Sequence, residues 1–109
     1  MANDYLPQIY QRFLADYPNL AQAYDSVSAA AHNSGPLDKR SQRLVRLGMA
    51  VAAEAEGAVR SNVRKALEEG FSKAQIEHAI LLALTMVGFP AMIASLQWSR
   101  EVFDAESTT

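Results

Sequence analysis

The sequence predicts an all-α protein of about six helices. Three observations carry that expectation. Apolar residues recur at helical spacing along almost the whole chain, no alternating strand pattern interrupts them, and helix-terminal residues punctuate the runs. With 109 residues, 50% of them hydrophobic and 20% charged, the chain is expected to form a single domain over 1–109 that buries a core.

The elements follow in order. Leu6, Ile9, Tyr10, Phe13 and Leu14 keep i, i+3, i+4, i+7, i+8 spacing, which places one apolar stripe on a first helix. Asp16-Tyr17-Pro18 ends it. Leu20, Tyr24, Val27 and Ala31 continue at helical spacing on a second helix, and His32-Asn33-Ser34-Gly35-Pro36 reads as a loop. Asp38 suits the N-cap of a third helix over about 38–55, basic in its first turns and apolar on nearly every face from Leu47 to Ala53. Glu54 to Gly57 reads as a break or tight junction. A fourth helix runs from about Ala58 to Glu69, with Gly70 as the residue that stops it. Ser72 and Gln75 have the spacing of a capping box for a fifth helix over 73–87. Gly88-Phe89-Pro90 interrupts, and Pro90 fits the first turn of a sixth helix ending near Phe103. The polar tail, Asp104 to Thr109, is expected to fray.

Composition excludes several function classes. Ten Lys and Arg against twelve Asp and Glu leave a net charge of −2, which argues against nucleic acid as a partner. There is no cysteine, so disulfides, thiolate catalysis, Cys-based zinc sites and iron–sulfur ligation are excluded. With His32 and His78 as the only histidines, a multi-His metal site within one chain is not expected, and no cofactor is called for. The start has no basic region ahead of an apolar core, and the longest strongly apolar stretch, Ala79 to Val87, is far shorter than the roughly 20 residues of a membrane span. A soluble, cytoplasmic protein with no membrane partner is the expectation.

The segments 47–53 and 79–87 are apolar nearly all round. A domain this small leaves much of its surface uncovered, so one of them is expected at a subunit interface in a homo-oligomer. The alternative is a monomer with both segments in its core.

Several runs stand in a telling order: Gly35-Pro36-Leu37-Asp38-Lys39-Arg40-Ser41, Asn62-Val63-Arg64-Lys65-Ala66-Leu67-Glu68-Glu69-Gly70, Ser72-Lys73-Ala74-Gln75-Ile76 and Val87-Gly88-Phe89-Pro90-Ala91. Together they resemble the carboxymuconolactone decarboxylase family, which includes the alkylhydroperoxidase D-like proteins. The resemblance is strongest over 35–103. It implies an alkylhydroperoxidase D-like orthogonal helical bundle that assembles into trimers or hexamers.

The family's peroxidase branch uses a Glu, then a Cys-x-x-Cys pair, then a His. Two thiols at i and i+3 share a helix face and can close a disulfide, while the His relays a proton and the Glu orients it. By resemblance the Glu position falls on Arg43, the thiol positions on Ala55 and Ala58, and the His position on Asn62. Alanine has no redox chemistry and an amide does not titrate near neutral pH. The family's decarboxylase branch needs no thiols, and its His-Val-Arg-x-Ala-Leu run reads Asn62-Val63-Arg64-Lys65-Ala66-Leu67 here. Lactone decarboxylation requires a cation for the carboxylate and a proton donor for the developing carbanion. Arg43 or Arg64 can serve the first role; Asn62 does not serve the second. The residues therefore argue against thiol peroxidase activity and, less strongly, against orthodox decarboxylation.

The ligand-binding candidates are Arg43, Asn62, Arg64 and His78. A guanidinium beside an amide in an apolar pocket would receive a carboxylate or phosphate. Arg46, one turn beyond Arg43, and Arg60, near Asn62, extend the basic set. The plainer reading of these cations is a salt-bridged surface, with Glu54, Glu56 or Glu77 as partners. Seven of the ten basic residues lie between Lys39 and Lys65, offset by Glu54, Glu56, Glu68 and Glu69. His78 faces solvent, a subunit contact or a neighbour's pocket, and a catalytic role is the less expected one. Met49, Met86, Met92 and Trp98 are expected to pack in the core. Three functions stay open: a non-thiol family member that binds a small molecule, an anion among the options, in the former active-site cavity; a decarboxylase or lactone-processing enzyme with a rebuilt site; and a structural or interaction subunit whose cavity is filled by Leu47, Val51 and their neighbours.

Overall fold

A computed structural model of the chain describes residues 8–107, and every regular element among them is helical. The chain divides into two units, which meet in sequence between Pro36 and Leu37.

The first unit holds α1 (Gln8–Asp16) and α2 (Pro18–His32). Pro18 opens α2 because its fixed φ suits a first turn, and the rings of Phe13 and Tyr17, 5.9 Å apart and tilted by 39°, bracket the junction. Leu6 of the predicted stripe lies outside the described residues. The stripe on α2 is present but Leu20, Tyr24 and Val27 are exposed, and Ala21 is the residue α2 buries. Helical spacing of apolar residues reports a face that wants covering; it does not say which chain covers it.

The second unit carries α3 (Lys39–Ala52), α4 (Glu56–Glu68), α5 (Lys73–Leu81), α6 (Leu84–Val87) and α7 (Phe89–Ser107). Asp38 caps α3 by accepting from the Ser41 amide at 2.7 Å. The junction after α3 is a three-residue turn in which the Glu54 amide donates to the Val51 carbonyl and the Ala55 amide to the Ala50 carbonyl. That is a Schellman motif, and it sets Glu54 at φ +53° where glycine is usual. A second Schellman motif ends α4, with Gly70 at φ +91° as expected from its position. Ser72 and Gln75 form both halves of the capping box.

Two boundaries depart from the sequence reading. The run 73–87 is not one helix: it breaks at Leu82-Ala83 and resumes as the single turn α6, before Gly88 (φ +94°, ψ 169°) redirects the chain into α7. The tail does not fray at Asp104, since α7 holds its helix to Ser107 because Val102 and Phe103 are buried and anchor the last turns. Thr108 and Thr109 lie outside the described residues.

The core of this unit is built from one face of each long helix. Leu47, Ala50 and Val51 of α3, Val59, Val63 and Ala66 of α4, Ile76 and Ile80 of α5, and Met92, Leu96, Val102 and Phe103 of α7 are all buried. Val59, Val63 and Ala66 follow i, i+4, i+7, which is why α4 can be clamped between α3 and α7. Ser95 and Ser99 are fully buried on α7, and neither hydroxyl has a hydrogen-bond partner.

Candidate functional site

Two features of the second unit carry chemistry, and α3 contributes to both. The first is a polar cluster between α3 and α4. Arg43 projects from the second turn of α3 and is only 12% exposed. Its Nε donates to Glu69 Oε1 at 3.0 Å and its Nη2 to Glu69 Oε2 at 2.9 Å, a two-pronged match of guanidinium to carboxylate. Its Nη1 donates to Asn62 Oδ1 at 2.7 Å. Asn62 in turn donates through Nδ2 to the Ala58 carbonyl at 2.9 Å, one turn earlier on α4, which fixes the amide with its oxygen toward Arg43.

Glu69 stands at the C-cap of α4, where the helix dipole disfavours a carboxylate. The hydrogen bonds from Arg43 hold its pKa below the ordinary 4.5 against the opposing effect of burial, with Lys39 and Lys65 adding smaller attractions. The backbone is held separately: Arg40 donates through Nη1 to the Glu69 carbonyl at 2.9 Å and stacks its guanidinium 3.9 Å from the centre of the Phe71 ring.

The second feature is an open cleft of about 600 Å³ between α3 and α5–α6. Leu44, Val45, Gly48, Met49 and Ala52 form the α3 wall. Phe71, Ala79, Leu82, Ala83 and Met86 form the facing wall, and Gln75 and His78 are its polar side chains. Gly48 has no atom within 4 Å of where a Cβ would stand, so its missing side chain widens the cleft. Met49 and Met86 were expected in the core; they are 66% and 81% exposed, at the mouth of this cleft. The break at Leu82-Ala83 turns the α5–α6 segment and leaves Leu82, Leu84, Met86 and Val87 uncovered, and Phe89 follows them.

The four candidate residues therefore separate. Arg43 and Asn62 meet each other in the polar cluster, His78 lines the cleft, and Arg64 is half-buried on α4 and is not among the cleft's lining residues. Ala55 is the N-cap of α4 and Ala58 sits in its first turn, so the four positions singled out by resemblance (43, 55, 58 and 62) gather at one helix pair. Leu47 and Val51 are fully buried core residues. Two of the carboxylates expected as salt-bridge partners, Glu56 and Glu77, do take that role. Arg60 binds Glu56 and Glu101, and Arg100 donates to Glu77 at 2.9 Å. Among the described residues no three of His, Asp and Glu gather as a metal site.

In the sequence Glu69 stands out only as one of the charges offsetting the basic stretch. The overlooked signal was a carboxylate at a helix C-terminus, directly before the terminating glycine, where an acid persists when a cation holds it. Capping spacing accounts for Gln75 but does not place it at the cleft, and no local pattern marks Phe71.

Comparison with known proteins decides the lineage. The family model for the carboxymuconolactone decarboxylase family matches residues 18–101. The chain belongs to this family. No curated protein matches the sequence. Among solved structures, an apo carboxymuconolactone decarboxylase family protein from Legionella pneumophila superposes with a TM-score of 0.77 at 20% identity, over 89% of this chain and 87% of that one. A structure from Thermotoga maritima gives 0.71 at 18% identity, over 94% and 92%. At such identities the likeness shows the shared fold. The all-α architecture expected from the sequence is the family's, and this member carries it without a cysteine. No helix among the described residues is long and apolar enough to cross a membrane.

Proposed function

We propose that this protein is a thiol-free member of its family that binds a small, largely apolar molecule in the α3/α5–α6 cleft and acts as a homo-oligomer. The cleft is the observation that carries the reading. Its volume of about 600 Å³ lies within the range of small-molecule sites, and its walls are aliphatic, aromatic and thioether groups with two polar side chains at hand. Such a lining favours a compact ring or short acyl chain with one polar end that His78 or Gln75 can meet. Recognition of an anion falls to His78 in this reading, because the Arg43 charge is already matched by Glu69.

Peroxide reduction by the family's thiol route is outside this chain's chemistry, since the positions for the two sulfurs are Ala55 and Ala58. A rebuilt decarboxylase site would need Arg43, Arg64 and a Glu or His78 to converge. Of the three named residues His78 alone lines the cleft. The reading of an interaction subunit without a ligand draws on the filled space between Arg43, Asn62 and Glu69, and it predicts an empty cleft in solution.

The test is a thermal-shift and calorimetric screen with aromatic acids, lactones, acyl compounds and their neutral analogues. Hits are then titrated into Ala79→Trp, which fills the cleft, and His78→Ala. Ala79→Trp is expected to abolish binding, and His78→Ala to weaken acids more than neutral analogues. Unchanged affinity in a folded Ala79→Trp protein would overturn the cleft reading. The absence of any hit, with the oligomer intact, would favour the interaction subunit.

A further inference from the structure

We propose that the Arg43 guanidinium, oriented by Asn62, forms a receptor for a single small carboxylate, and that the Glu69 side chain occupies this receptor from within the same chain. The site lies between α3 and α4 and is independent of the cleft, so either reading can fail alone.

Four observations support it. The guanidinium presents Nε and Nη2 side by side to one carboxylate, at 3.0 and 2.9 Å, which is the geometry that recognises a free carboxylate. The guanidinium itself is oriented independently of Glu69, because the Ala58 carbonyl holds the Asn62 amide with Oδ1 accepting from Nη1 at 2.7 Å. The pair is partly shielded from water, with the Arg43 and Glu69 side chains 12% and 15% exposed, which strengthens a charge-assisted contact at this position. Finally, the occupant is attached by a side chain alone. The Glu69 backbone is tied down by Arg40 at its carbonyl and by the α4 terminating turn through Gly70, neither of which involves the carboxylate. Removing the carboxylate therefore empties the receptor while leaving the backbone bonds that build it.

The experiment is chemical rescue of Glu69→Ala. Wild type, Glu69→Ala and the double variant Glu69→Ala/Arg43→Met are titrated with sodium acetate and sodium propionate. Neutral acetamide and sodium chloride at matched ionic strength serve as controls. Binding is read by calorimetry and by the shift in Tm. Glu69→Ala is expected to bind acetate saturably in the millimolar range, with acetamide at least about tenfold weaker. Wild type and the double variant are expected to show no saturable response. If Glu69→Ala is unfolded without additive, acetate is expected to restore its helical circular dichroism. A folded Glu69→Ala that ignores acetate, an unfolded one that acetate does not restore, or equal binding by the double variant would each overturn the proposal.

Discussion

At the scale of single residues, the side chains that matter are those whose surroundings contradict their usual preferences. Glu54 stands at φ +53°, a left-handed conformation that costs a residue with a Cβ on the order of 1 kcal/mol. Glu54→Gly should therefore raise stability by up to about 1 kcal/mol, read as a higher urea midpoint with an unchanged m-value. Glu69 makes a pH-dependent contribution whose sign follows from its lowered pKa. The folded protein holds the carboxylate in its charged form more firmly than the unfolded chain does. The stabilisation is complete above the ordinary value of 4.5 and is lost as pH falls through the lower, folded-state pKa. Urea titrations between neutral and strongly acid pH should show Glu69→Gln less stable near neutrality and losing less stability on acidification than wild type. Identical pH profiles would show that the Arg43 pairing adds nothing to stability.

Helices are held in place here by caps and by a few polar contacts between elements. The Ser72–Gln75 capping box starts α5 two residues after Gly70 ends α4, so the α4–α5 corner is set by local chemistry. Ser72→Ala should cost about 1 kcal/mol. Arg43 joins α3 to both ends of the α4 site, and Arg43→Met should destabilise by about 2 kcal/mol, because it strands the partly buried Glu69 carboxylate. On α7 the expected sign is reversed. Ser95 and Ser99 are buried with unpartnered hydroxyls, so Ser95→Ala should be neutral or stabilising by up to about 1 kcal/mol in thermal unfolding. The cleft also belongs to this scale. It exists because Gly48 leaves room on α3 and because the apolar run after Ala79 breaks into α5 and α6.

For the whole molecule, the apolar surface governs behaviour. Leu84, Val87, Phe89 and Ile93 are exposed on α6 and α7 without lining the cleft, an apolar surface of the kind that marks an interaction site. The proposed homo-oligomer accounts for them. Leu84→Glu together with Phe89→Glu should shift the protein toward the monomer in sedimentation or native mass spectrometry, and an unchanged mass would direct the search to Leu20, Tyr24 and Val27 on α2.

By itself the sequence determined the helical class, the family resemblance, the caps at Asp38 and Ser72, the stop at Gly70 and the loss of the thiols. Each of these is local, written in residue type and spacing over a turn or two. The tertiary structure decided that Arg43 spends its charge on Glu69, 26 positions away, and that His78 lines a cleft apart from Asn62. It also decided that Met49 and Met86 rim that cleft instead of filling the core. Periodicity reports that a face is apolar and composition reports that charges balance. Which side chain meets which is settled only when helices distant in sequence pack against one another.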